Sequence, residues 1–265
     1  MLKDITLGQY FPGDTVVHRL DPRTKLILVV LYIVALFNAK GWGSYLVVTA
    51  VTGICMAVSH ISPRNIFKGL KPMLFIIALT AILNIFYTQG TPIREGWIIT
   101  WEGIERAVKM MLRITMLIVG TFLLTYTTSP MALTDGLELL LKPLNKLKVP
   151  VHEMTLMMSM ALRFIPTLIE ETDKIMSAQK ARGADFETGN LIERAKALLP
   201  ILVPLFVSAF RRADELAIAM ESRCYHGGEG RTRMKQLRFC TRDIIALILG
   251  IAFTAAIFVM KHFGL

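Results

Sequence analysis

The chain has 265 residues, 54% of them hydrophobic and only 19% charged, with a mean hydropathy of +0.52. A soluble domain of this length carries about a quarter charged residues and cannot hide such an apolar excess in one core, so a soluble enzyme is excluded and a bilayer becomes the solvent for part of the chain. Lys and Arg number 30 against 20 Asp and Glu, a net charge of +10, which in a membrane protein signals sidedness rather than nucleic-acid binding.

Met1 to Asp14 lacks the apolar core of a cleaved targeting peptide. Asp21-Pro22 reads as an N-cap followed by proline at the first helical position, and Arg19, Arg23 and Lys25 beside it are placed to touch anionic lipid. Five stretches then approach the roughly 20 apolar residues that a spanning helix needs: about Lys25 to Phe37, Trp42 to Ile61, Pro72 to Gly90, Ile114 to Leu133, and Ile244 to Met260. The first is short and must tilt or borrow flanking residues. The second, third and fourth hold no charged residue, and Arg113 at the edge of the fourth can snorkel outward. Gly53, Gly120 and Gly250 mark candidate close contacts between spans.

Counting cations assigns the sides. The N-terminal segment, the connection between the second and third spans, and residues 129–243 together hold 24 of the 30 Lys and Arg residues. The positive-inside rule then places the N-terminus and the long segment in the cytoplasm and the C-terminus outside. The expected organisation is a membrane part over residues 1–128, a coupling region over 129–242, and a last span over 243–265.

The long segment is unusual, with 17 basic residues against 14 acidic ones. Three helices are predicted there: Met131 to about Lys146, His152 to Arg182, and Asn190 to Arg223. The second begins apolar and methionine-rich and ends charged. The third has an apolar centre followed by a charged end. Their apolar parts, Met154–Ile169 and Ala197–Phe210, are short for a span and suit a helix in the interface or beside other proteins. Pro166, Pro200 and Pro204 fall inside them and predict bends. Met154, Met157, Met158 and Met160 form a soft surface, read either as ordinary packing or as a face accepting several partners.

Ala181-Arg182-Gly183 closes the second helix and Ser222-Arg223-Cys224 the third. Cations there complement the macrodipole and Gly183 suits a left-handed cap, so both arginines can be simple caps. Alternatively, small neighbours let a partner close around each guanidinium, whose fork suits carboxylates. The pair would then be a two-pronged docking device.

The string from Phe11 to Lys25 (FPGDTVVHRLDPRTK), Arg163-Phe-Ile-Pro166 with Gln179 to Gly183, and Arg212 to Glu215 with Met220 to Cys224 resemble the transmembrane T component of energy-coupling factor (ECF) transporters over essentially the whole chain. The resemblance implies an all-α integral membrane protein of about five spans plus three coupling-region helices, two of them long, in a prokaryotic cell membrane. It implies a non-catalytic importer scaffold for vitamins or transition-metal ions. Ala181, Arg182, Gly183, Ser222, Arg223 and Cys224 would dock on two ABC-type ATPase subunits, which bind ATP and Mg2+; this chain would bind no cofactor itself. Met154, Met157, Met158, Ala161, Leu202, Leu205 and Phe206 would face a substrate-binding S component. Cys224 departs from the glycine that the family commonly has there, which leaves the geometry of the second tip open.

The residues agree with a scaffold. There is no GxxxxGK[ST] P-loop; Gly227 to Thr232 reads as a turn. The five histidines have no metal-ligand spacing, and Cys55, Cys224 and Cys240 form no disulfide framework. Glu170-Glu171 reads as a solvated face. A membrane enzyme acting on anionic lipid would need convergent acid, base or metal groups, and a channel or carrier would need ionisable groups in its spans; neither set stands out. Another ATPase-coupled permease subunit is the nearest rival.

Overall fold

The computed structural model describes residues 10–91, 100–186, 190–227 and 237–263, and among these the chain is helical with no strand. The helices are α1 (Pro22–Asn38), α2 (Trp42–Val58), α3 (Pro63–Leu70), α4 (Leu74–Tyr87), α5 (Trp101–Thr127), α6 (Pro130–Leu141), α7 (Val151–Ala181), α8 (Leu191–Glu221) and α9 (Thr241–His262). A 3-10 turn, Lys71–Met73, joins α3 to α4, and another, Lys142–Leu147, follows α6. The described residues form two compact units, one of those within 10–140 with 237–263, the other of those within 141–227.

The first unit is an up-and-down bundle. Pro63–Tyr87, α5 and α9 are long and apolar enough to cross a membrane. The first two expected spans are helices of only 17 residues, about 26 Å each. Asp21 and Ala39 bound α1, and Gly41 and the left-handed His60 (φ 52°) bracket α2. Asp21 caps α1 by accepting from Arg23 N (2.9 Å), with Pro22 at the first position, as the Asp-Pro pair predicts.

The fourth expected span, Ile114–Leu133, is misplaced. The helix starts at Trp101, where Thr100 Oγ1 accepts from Gly103 N (3.1 Å), and stops at Thr127, because Pro130 begins α6. In its charged first half Glu102, Glu105, Lys109 and Arg113 all have polar partners. Lys109 pairs with Glu105 at 2.6 Å, and Trp42 Nε1 donates to the same carboxylate at 3.1 Å. Arg113 is not at an edge. It sits mid-helix, donates to Ala39 O at the end of α1 (3.0 Å), and lies over the Phe37 and Tyr45 rings.

Between apolar helices in lipid, close packing and hydrogen bonds replace hydrophobic drive. A Cβ on Gly120 would meet Tyr32 Cε1 at 2.5 Å, and one on Gly250 would collide with Leu28 Cδ2, so both glycines admit a neighbour from α1. Gly53 has nothing within 4 Å and makes no such contact. Tyr32 OH donates to Met116 O (3.1 Å) and shares a hydrogen bond with Thr52 (2.9 Å), tying α1 to α5 and α2.

At one end of this unit Phe11 N donates to Tyr126 O (3.0 Å), and the two rings meet edge to face. The lipid role expected for three cations fails for two of them. Lys25 is 5% exposed and its ammonium is occupied by backbone and hydroxyl oxygens. Arg23 lies 3.4 Å from Asp21 and donates to Leu237 O. Arg19 alone of the three stays exposed, 3.7 Å from Asp14.

Candidate functional site

The second unit carries every residue that the sequence singled out for docking. Its two long helices have 31 residues each, about 46 Å if straight. α7 starts after Pro150. α8 is capped by Asn190, whose backbone N–H donates to Glu193 in a capping box (2.9 Å).

Both helices end in the same motif. In α7, Gly183 N donates to Lys180 O (3.0 Å) and Ala184 N to Gln179 O (3.0 Å), with Gly183 at φ 90°. In α8, Cys224 N donates to Glu221 O (2.8 Å) and Tyr225 N to Met220 O (3.0 Å), with Cys224 at φ 54°. These paired bonds are a Schellman closure, which needs one left-handed residue just past the helix. Cys224 takes that conformation despite its Cβ, so the two tips match in backbone form. In each, the arginine immediately precedes the left-handed residue. Arg182 and Arg223 are exposed, and among the described residues neither guanidinium forms an ion pair. Ala181, Ser222 and Cys224 are exposed beside them.

Three contacts fix the register of the two helices. Arg212 pairs with Glu171 at 2.9 Å and lies over the Phe164 ring, 5.5 Å from its centre. Both charged side chains are about a quarter exposed, so Glu171 is an interhelical partner rather than part of a solvated face. The third contact follows from proline. Pro204 has no N–H for the carbonyl four residues back, and Gln179 Nε2 donates to that Pro200 oxygen at 3.4 Å. Position rises along α7 as it falls along α8, so the pair is antiparallel. The tips therefore lie at opposite ends. Arg182 is three residues from Gln179, and the 23 residues from Pro200 to Arg223 span about 35 Å.

The same register separates the apolar patches. Met154, Met157 and Met158 are 49%, 62% and 44% exposed, with Ala161 exposed beside them, and they lie alongside the charged second half of α8. Leu202 and Phe206 are exposed and Leu205 half-buried, alongside the charged second half of α7. The structure thus does not bring the two sets together. Between the helices, Met157, Met160, Phe164, Leu168, Ala209, Arg212, Ala213 and Leu216 line a groove of about 230 Å3 that includes Met157 of the first set and no residue of the second. Among the described residues no cluster of His, Cys, Asp or Glu has a metal-binding arrangement. Gly227 is the one described residue of the Gly227–Thr232 string, and the rest lies outside the described residues.

Sequence reasoning missed Glu171 and gave Gln179 no role. The signal for Gln179 was present, since a proline inside a helix always frees a carbonyl four residues earlier.

The sequence has counterparts among known proteins. A family model described as cobalt transport protein matches residues 13–234. The energy-coupling factor transporter transmembrane protein EcfT of Ruminiclostridium cellulolyticum is 53% identical over 264 residues, 99% of either chain. Its namesake in Clostridium kluyveri is 56% identical over 250 residues, 93% of either chain. That of Bacillus subtilis is 47% identical over 264 residues, 98% of this chain and 100% of the relative.

Proposed function

The chain belongs to the cobalt transport protein family, among the transmembrane EcfT proteins of energy-coupling factor transporters, and from that premise we propose that it couples two ATPase subunits to a substrate-binding S component. It is a membrane component of a transporter, with no chemistry of its own in this reading; ATP and Mg2+ bind to the ATPases. The coupling region lies in the cytoplasm, the N-terminus on the same side and the C-terminus outside. The cargo is a micronutrient, a vitamin or a transition-metal ion, selected by the S component.

The observation that carries the reading is the pair of matched tips. Two exposed arginines sit at the ends of two Schellman-capped helices, about 35 Å apart, in a pair locked by Glu171–Arg212 and Gln179–Pro200. Each tip offers an exposed guanidinium to one ATPase, and the lock makes the pair a lever rather than two independent arms. The exposed apolar residues Met154, Met157, Met158, Ala161, Leu202, Leu205 and Phe206 face the S component. Because they form two separated patches, that subunit contacts the lever at two places.

The test is reconstitution of the chain with its ATPases and an S component in vesicles. ATP-driven uptake that requires this chain, and is lost in the Arg182→Glu, Arg223→Glu double variant, supports the reading. Undiminished uptake in that variant refutes it.

A further inference from the structure

The string Asp21-Pro-Arg-Thr-Lys25 has no part in the reading above, yet it holds the α5–α6 link, just ahead of the last bundle helix before residues 141–236, and the place where the chain rejoins the bundle at Leu237. Lys25 has three ammonium protons and three acceptors: Thr127 O at 2.8 Å, Thr128 Oγ1 at 3.2 Å and His18 O at 3.2 Å. Thr127 O is a last-turn carbonyl of α5 without a helical donor, and a cation suits that end of the dipole. At the other junction Arg23 Nη2 donates to Leu237 O (2.8 Å), and its guanidinium stacks 4.7 Å from the Phe239 ring centre. Asp21 N donates to Asp243 Oδ1 (2.8 Å), and Asp243 Oδ2 accepts from Cys240 N (2.9 Å), so the start of α9 is held too. Asp243 is 2% exposed.

We infer that the first turn of α1 is the fulcrum of the coupling device, with Arg23 and Lys25 as positioning residues that fix the bundle segments on either side of the inserted region, the α5–α6 link and Leu237, to one point of α1. The inference rests on the coupling function proposed above. Its warrant is the choice of partners. An apolar side chain would pack α1 against α5 without the desolvation cost of a buried ammonium. What the cations add is directional hold on backbone and hydroxyl oxygens in the bundle segments that flank the inserted region. A lever transmits displacement only if its attachments do not yield, and a junction that slips would absorb the motion of the tips. Loss of either cation therefore loosens one attachment and leaves the docking tips untouched.

The experiment uses the full complex in vesicles with Lys25→Met, Arg23→Gln and the conservative Arg23→Lys. Subunit co-purification, ATP hydrolysis and substrate moved per ATP are measured together. For Lys25→Met and Arg23→Gln, assembly and hydrolysis stay within about twofold of wild type while transport per ATP falls about tenfold, the scale of losing one charge-assisted hydrogen bond. Arg23→Lys, which still donates to the Leu237 carbonyl, recovers most of it. Unchanged transport per ATP in both disruptive variants overturns the inference, and so does failure of both to assemble, since the clamp is then a folding element only. A wild-type chain that supports no ATP-driven uptake overturns the coupling function itself, which is a different result.

Discussion

The two helix tips share a backbone form but not a residue at its left-handed position, so reciprocal substitutions there have opposite signs. Gly183 sits at φ 90° with nothing within 4 Å of a built Cβ, so Gly183→Ala meets no clash and incurs only the conformational cost. That cost is about 1–2 kcal/mol for a left-handed residue with a Cβ, offset by about 0.4–1 kcal/mol from reduced freedom of the unfolded chain. The net effect is a destabilisation of about 1 kcal/mol, roughly fivefold in the opening equilibrium of that tip. Cys224 at φ 54° already carries the same cost, so Cys224→Gly relieves it and stabilises the second tip by a similar amount. Amide exchange of Ala184 and Tyr225, whose N–H groups close the two motifs onto Gln179 and Met220, reads each tip separately. Faster exchange at Ala184 in Gly183→Ala, with slower exchange at Tyr225 in Cys224→Gly, is the expected outcome. Changes of the same sign at both tips refute the argument that the left-handed residue sets their stability.

The half-buried Glu171–Arg212 pair should show a coupling of about 1 kcal/mol in a double-mutant cycle of Glu171→Gln and Arg212→Met, above the median of exposed pairs; thermal melts in detergent measure it. Gly120→Ala and Gly250→Ala should lower the melting temperature, because their Cβ atoms meet Tyr32 and Leu28, whereas Gly53→Ala should not. Burial holds His18 below its ordinary value, outweighing the bond that its Nε2 donates to Phe11 O. The neutral ring is the folded form, so its contribution is full above about pH 6.5 and is lost as pH falls through the lower folded value. Exchange of the Phe11 amide should therefore speed up on acidification in wild type but not in His18→Gln.

The long helices were legible because punctuation residues bound them: Pro150 and Gly183 for α7, Asn190 for α8, and observed limits fall within one or two residues of those predicted. The tip at Cys224 was not, since a left-handed cysteine carries no sequence signal and shows only as a positive φ. α5 was placed 13 residues late because charge density was taken to exclude membrane depth. Two of the groups that hydrogen-bond those charges, Trp42 and the Ala39 carbonyl, lie more than 60 residues away in sequence. The same blindness put Lys25 and Arg23 on lipid, when their partners are Thr127 and Leu237. Periodicity shows that a helix has an apolar face, but the antiparallel offset of α7 and α8, which separates Met154–Ala161 from Leu202–Phe206, depends on side-chain contacts between distant residues.

The central claim is that Arg182 and Arg223 each hold one ATPase. Native mass measurement of the complex purified through this chain tests it directly. Wild type should carry two ATPase subunits, Arg182→Glu and Arg223→Glu one each, and the double variant none. Two ATPases retained in both single variants and in the double would contradict the account and leave the arginines as helix caps.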